Sequence, residues 1–188
     1  AWRARGQVGI VKGMAPSILW YDLETFGIDS RHDRIAQFAC IRTDENLEEV
    51  GEPLRLYCKP SLDYLPSPAA CMVHGITPQT AYELGLGEYD FALRLHEEFS
   101  LPGTTSSGYN TIHFDDEFIR NLFYRNLLDV YSREYANGNS RWDIINLVRA
   151  AEALEQHPDT ICTACPYCLT MLDDGIKDLK AVKVQVKD

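Results

Sequence analysis

The run Ser17-Ile18-Leu19-Trp20-Tyr21 leads directly into Asp22-Leu23-Glu24, and no other junction in the chain constrains its fold as much. The run is mainly apolar and reads as a buried strand. Side chains two residues apart on a strand share a face, so Asp22 and Glu24 project together and Leu23 turns to the other side. Two carboxylates held close in a low-dielectric cleft repel each other strongly. A divalent cation removes that repulsion, and hard oxygen donors suit Mg²⁺ or Mn²⁺. An isolated Asp-x-Glu is more often a strand end where two acids face water. Thr25-Phe26-Gly27 after it, and a second acidic motif further along, shift the balance towards a metal site.

The second motif is Gly108-Tyr109-Asn110-Thr111-Ile112-His113-Phe114-Asp115-Asp116-Glu117. A β-like run over 104–109 meets Asn110, and Phe114-Asp115 then opens a helix. Phe114, Phe118 and Leu122, with Ile119 and Phe123 beside them, follow helical spacing and are expected to pack inward. Acids in a first turn are explained by capping and by the helix dipole, and that explanation suits Asp116 and Glu117. Asp115 is the better candidate ligand, because Phe114 anchors it towards the sheet.

The order of elements is that of an α/β chain. Strands are expected near 17–22, 34–43, 52–58 and 104–109, helices near 88–99, 115–127 and 141–155, and a proline-broken loop over 60–78. Ser140-Arg141-Trp142-Asp143 resembles a capping box, which assigns Asp143 to capping first. With 188 residues and 45% hydrophobic content the chain can bury one substantial core. No apolar run is long enough to span a membrane. The net charge of −10 argues against a generally basic nucleic-acid-binding surface, but not against a local groove. Arg120, Arg125, Arg141 and Arg149 gather in the helical half with Tyr124, Tyr131 and Tyr135 among them. Aromatic faces beside arginines suit single-stranded DNA, where stacking contributes about 1–3 kcal/mol per base. The same pattern also describes a solvated helix face with half-buried tyrosines.

Several segments together resemble one family. They are Tyr21-Asp22-Leu23-Glu24-Thr25-Phe26-Gly27, Arg34-Ile35-Ala36-Gln37-Phe38-Ala39, Tyr57-Cys58-Lys59-Pro60, Gly75-Ile76-Thr77-Pro78-Gln79, Phe114-Asp115-Asp116-Glu117, Arg120-Asn121-Leu122-Phe123-Tyr124-Arg125-Asn126 and Asn139-Ser140-Arg141-Trp142-Asp143. Over about residues 17–154 the chain is similar to the exonuclease domain of bacterial exonuclease I, a member of the DEDD 3′→5′ exonucleases. The resemblance implies a ribonuclease-H-like fold with a mixed sheet flanked by helices. It makes Asp22, Glu24 and Asp115 metal ligands for two Mg²⁺ or Mn²⁺ ions, one held by Asp22 and Asp115 and the other bridged by Asp22 and Glu24. It places Arg120, Tyr131, Tyr135 and Arg149 along single-stranded DNA, with Leu23 and Phe26 wedged against the terminal nucleotide. It also implies single-strand DNA-binding protein as a partner. In that family a late helix brings a fourth aspartate and a general-base histidine. None of His32, His74, His96, His113 and His157 stands in that context, so the domain is expected to be C-terminally incomplete and its hydrolysis impaired. The alternatives are an inactive single-strand DNA-binding remnant, or a metal or iron–sulfur protein fragment led by the cysteine-containing C-terminal segment.

Both ends read differently from the middle. Residues 1–13 carry Arg3, Arg5 and Lys12 with no acid and are expected to form a disordered extension before a domain at 14–155. Residues 156–188 are expected to be an unrelated tail. Its Thr163-Ala164-Cys165-Pro166-Tyr167-Cys168 resembles the last cysteine motif of heterodisulfide-reductase-type iron–sulfur proteins. Cys162, Cys165 and Cys168 could hold zinc or an iron–sulfur cluster, act as a redox pair, or remain three reduced thiols. Six cysteines without a signal peptide point to a reducing cytoplasm.

Overall fold

The computed structural model describes residues 15–163, 166–181 and 183–187. The expected N-terminal extension therefore lies outside the described residues. Five strands form one mixed sheet: β1 (Ser17–Thr25), β2 (Ile35–Thr43), β3 (Leu54–Tyr57), β4 (Thr104–Gly108) and β5 (Ser140–Asp143), in the order β3-β2-β1-β4-β5. β1 is central. It pairs antiparallel with β2 and parallel with β4, which pairs parallel with β5. Hairpin-like pairing on one side and crossover pairing on the other follow from the connections. The link from β1 to β2 is short, whereas β3 and β4 are separated by helices.

Those helices are α1 (Pro68–His74), α2 (Pro78–Leu84) and α3 (Glu88–Ser100), followed after β4 by α4 (Asp115–Arg125). The core lies between the sheet and α3 and α4. Leu19, Tyr21 and Leu23 from β1 and Phe38 and Cys40 from β2 meet Phe91, Leu95 and Phe99 from α3 and Phe118, Ile119, Leu122 and Phe123 from α4. The odd residues of β1 are thus committed to the core, which leaves Trp20, Asp22 and Glu24 for the opposite face. A smaller cluster of Phe26, Ala36, Ile76 and Ala81 holds α1 and α2 against the end of β1.

Three expectations need correction. The segment 60–78 is not all loop, since α1 fills 68–74 with Pro68 in its first turn and Gly75 closing it in the left-handed conformation (φ 74°). Residues 140–143 do not start a helix. They form the edge strand β5, and the helix α5 begins only at Ile145 (Ile145–Leu154). Four residues with one tryptophan carry too little alternation to announce a strand. Third, Asp116, expected to serve capping and the helix dipole, makes no cap hydrogen bond and is a buried anchor, as described below.

The C-terminal segment forms β6 (Thr160–Cys162), α6 (Pro166–Asp178) and β7 (Gln185–Lys187), with β6 and β7 paired in parallel. The main contact of α6 is with α5. A Cβ at Gly175 would sit 2.8 Å from the Ala150 Cβ and 2.9 Å from the Asn146 carbonyl oxygen, so glycine is what lets the two helices meet. Replacing Gly175 by valine is expected to separate α5 from α6 and to raise amide hydrogen exchange in these two helices while leaving β1 and β2 protected. Equal loss of protection in β1 and β2 would show instead that the segment is integral to the whole core.

Candidate active site

The end of β1 presents Asp22 exposed and Glu24 half-buried on one face, as the alternation requires. Asp115 reaches them from the first turn of α4. Its Oδ1 accepts the backbone N–H of Leu23 at 3.0 Å, and Leu23 is the residue between the two acids. The three carboxylates are thereby brought to one strand end. Asp115 is almost fully buried. Burial, with the Asp22 charge adding to it, raises its pKa to about 7. Burial also raises Asp22 and Glu24, and for Glu24 the His74 imidazole works against that rise while Asp22 adds to it.

This donor set fits a hard divalent cation. All three groups are oxygen donors, and each is penalised for carrying its charge without one. Among the described residues no three carboxylate, histidine or cysteine groups close on a common point as placed. Asp22 and Glu24 lie at the surface, so ligation requires their side chains to turn inward while Asp115 stays fixed. On this open face, a cavity of about 550 Å³ beside Asp22 is lined by Trp20, Ala39, Ile41, Pro53, Leu54 and Arg55, among others.

Two networks, one half-buried and one buried, flank Asp115, and sequence reasoning missed both. The first centres on Asp143 at the end of β5. Its carboxylate accepts the N–H groups of Asn110 (2.8 Å), Ile112 (3.1 Å) and Ile145 (3.0 Å). It therefore accepts the first N–H of α5 and also pins the β4–α4 loop, where Asn110 is in the left-handed region (φ 61°) that asparagine tolerates. The loop begins at Gly108, where a Cβ would fall 2.5 Å from the Tyr21 carbonyl oxygen, so this close approach to β1 excludes any larger residue.

The second network centres on Asp116. Tyr21 Oη donates to Oδ1 at 2.8 Å, Arg133 Nη2 to the same oxygen at 2.7 Å, and Arg141 Nη1 to Oδ2 at 2.8 Å. Burial pushes this carboxyl up, but the Arg133 charge and the hydrogen bonds outweigh it and the net shift is downward. Arg133 is fully buried and lies over the Phe99 ring at 4.8 Å. Nothing in the spacing of Asp116, Arg133 and Arg141 marks them as partners, because the loop between α4 and β5 brings them together.

The residues that the resemblance places along DNA divide into three groups. Arg120 and Tyr131 belong together, with the guanidinium 5.5 Å from the ring centre, and both line a cavity of about 470 Å³ with Arg31, Asn121 and Tyr124. Arg120 is also held by Glu134 (2.8 and 2.9 Å) and by Glu117, which offsets its charge. Tyr135 and Arg149 are exposed but do not line that cavity. Leu23 and Phe26 are both buried, Leu23 in the main core and Phe26 in the smaller cluster, so a wedge made from either requires the site to open. Of the tail cysteines, Cys162 is exposed and Cys168 half-buried, and Cys165 lies outside the described residues.

A mixed sheet whose central strand ends in two acids, joined by a third from the helix after β4, is the arrangement expected of a DEDD exonuclease. The model of the exonuclease family matches residues 19–174. The chain belongs to the exonuclease family. The match continues past residue 155 and includes most of α6. Exodeoxyribonuclease I of Haemophilus influenzae is 52% identical over 168 residues, which is 89% of this chain and 34% of that protein. Among solved structures, exonuclease I of Methylocaldum szegediense is 58% identical with a TM-score of 0.73, over 76% of this chain and 30% of that one. The zinc-bound Escherichia coli ExoI–ssDNA complex is 48% identical with a TM-score of 0.74, over 76% and 31%, and an ExoI/SSB-Ct complex also matches at 48% and 0.73, over the same 76% and 31%. The chain spans about a third of the length of these relatives. No helix among the described residues is long and apolar enough to cross a membrane.

Proposed function

We propose that this exonuclease-family chain carries the metal-binding core of a 3′→5′ exodeoxyribonuclease that acts on single-stranded DNA. The observation that carries the reading is the Asp115–Leu23 bond, which fixes a buried carboxylate between two others at a strand end. Asp22, Glu24 and Asp115 would hold two divalent ions, Mg²⁺ or Mn²⁺. When bound, such ions supply charge stabilisation at the scissile phosphate and activation of the attacking water. The chain's own part is positional. Asp115 is fixed by Leu23 and by the Asp143-pinned loop, and Asp22 and Glu24 are free to turn towards incoming ligands. Arg120 with Tyr131, and the exposed Tyr135 and Arg149, offer stacking and phosphate contacts for the strand. Single-strand DNA-binding protein is the partner that the likeness to the ExoI/SSB-Ct complex supports.

Turnover by this chain is impaired in our reading. No described histidine occupies the late-helix position that the resemblance gives to a general base, and general-base catalysis typically contributes about 10²–10⁴-fold. The test is release of mononucleotides from 3′-labelled single-stranded DNA by the purified chain with Mg²⁺, beside retention of the same DNA in a filter assay. Retention with release at least about 10²-fold below that of a full-length relative is expected. Robust Mg²⁺-dependent release would refute the impairment. Asp173 and Asp174 on α6 would then be the first residues to replace. Release that survives Asp22→Asn would refute the assignment of the site.

A further inference from the structure

His74 has no role in the site as described, yet its surroundings are specific. It is the last residue of α1, and its Nδ1 accepts the backbone N–H of Ile76 at 3.0 Å. A ring nitrogen that accepts carries no hydrogen, so the neutral imidazole holds its proton on Nε2. That Nε2 is buried and has no hydrogen-bond partner among the described residues. A buried donor without an acceptor is unfavourable and calls for one.

The fold limits where the acceptor can come from. The imidazole stands edge-on to Phe26, ring centres 6.2 Å apart, and Phe26 follows Glu24 by two residues at the end of β1. Phe26 is itself tied to the segment that starts α1, because its carbonyl oxygen accepts the Ser67 N–H at 2.9 Å. The spacing between His74 and the strand end is thus set by packing and by a backbone hydrogen bond. Burial raises the Glu24 carboxyl and His74 acts to lower it, which places the two groups within electrostatic reach. Glu24 is half-buried and takes part in no ion pair among the described residues, so it is free to turn.

We propose that His74 is a positioning residue for Glu24, its Nε2–H donating to the Glu24 carboxylate when that carboxylate turns inward to bind a divalent ion. One carboxylate oxygen then ligates while the other is held by the imidazole. Carboxylate ligands are commonly oriented by such an outer hydrogen bond, and its loss typically costs about 10–100-fold in metal affinity or activity. The proposal rests on the reading of Glu24 as a ligand.

Titration of the metal-depleted full chain with Mn²⁺, with free ion measured by electron paramagnetic resonance, tests it without reference to turnover. Asparagine at 74 keeps an oxygen that can accept the Ile76 N–H but lacks a donor at the Nε2 position. His74→Asn is therefore expected to weaken Mn²⁺ binding about tenfold or more with an unchanged thermal midpoint. His74→Gln, whose longer amide reaches towards the Nε2 position, is expected to retain most of the affinity and guards against a folding defect in the asparagine variant. In a Glu24→Gln background, His74→Asn should have no further effect on Mn²⁺ binding, because the group it positions is altered. Affinity of His74→Asn within about twofold of the unsubstituted chain would overturn the proposal, as would an equal loss in the Glu24→Gln background. If Asp22→Asn leaves Mn²⁺ binding untouched, the carboxylate site itself is wrong, and His74 falls with it.

Discussion

Replacing Arg133 by methionine is expected to lower the free energy of unfolding by about 3–5 kcal/mol, the usual effect of removing one partner from a buried ion pair. Arg133 is fully enclosed, its Nη2 donates to Asp116 at 2.7 Å, and its guanidinium covers the Phe99 ring. Methionine keeps much of the packing but leaves Asp116 charged, buried and dependent on Tyr21 and Arg141 alone. Asp116 joins β1 to α4 through Tyr21 and follows Asp115 in the chain, so the loss is expected to extend to the alignment of Asp115. Urea denaturation of the single variants, and of Arg133→Met with Asp116→Asn, measures the coupling. The double variant should lose clearly less than the two singles together. A single-variant loss below about 1 kcal/mol would mean that the network holds without its central cation.

The second large effect is in pH. The folded chain holds a proton on Asp115 up to about pH 7, whereas an unfolded aspartate releases it near 3.8. The raised pKa means that the stabilising contribution is complete below the unfolded value and is lost as pH rises through the folded one. Metal-free protein should therefore become less stable between about pH 4 and pH 7, by at most roughly 4 kcal/mol at 1.36 kcal/mol per pH unit. The raised values of Asp22 and Glu24 act in the same direction. Asp116 acts in the opposite sense and in a different range. Its lowered pKa gives stability that is lost only as pH falls below the ordinary aspartate value. Asp115→Asn should remove most of the loss towards neutral pH, since its amide oxygen can still accept the Leu23 N–H. Thermal unfolding in metal-free buffer from pH 4.5 to pH 8 checks this, and Mn²⁺ should raise the midpoint of the unsubstituted chain most at the upper end of that range. A flat profile for the unsubstituted chain would place Asp115 in water rather than in the core.

The shared face of Asp22 and Glu24 on β1 is legible because a strand alternates. Once Leu19, Tyr21 and Leu23 are recognised as core, Asp22 and Glu24 must share the other face. Asp115 was legible because Phe114 and Phe118 set the inward side of α4, and the two rings do pack together, 5.1 Å apart. The capping box expected at 140–143 is strand β5 instead, and the hold of Asp143 on the start of α5 and on the β4–α4 loop has no signal in the sequence. That grip depends on β5 lying beside β4, and the four residues of β5 carry almost no strand signal. The 60–78 segment misled for a related reason. Its prolines break a pattern when read along the chain, yet Pro68 and Pro78 sit in first turns, where a missing N–H costs nothing.

What the chain determines locally is the chemistry on offer: two acids on one strand face, a third at a helix start, and apolar periods that choose inside from outside. Those follow from side-chain geometry within a few residues and need no partner. Tertiary structure decided which groups keep their charge. Asp115 and Asp116 are neighbours with the same side chain and nearly the same burial, yet one is raised to about 7 and the other lowered. The difference is that Arg133 and Arg141 arrive beside Asp116 from a distant loop and strand, while Asp115 meets backbone N–H groups and the like charges of Asp22 and Asp116. Electrostatic energy in a buried site is set by what lies within a few ångströms, and proximity between remote residues is created by the fold alone.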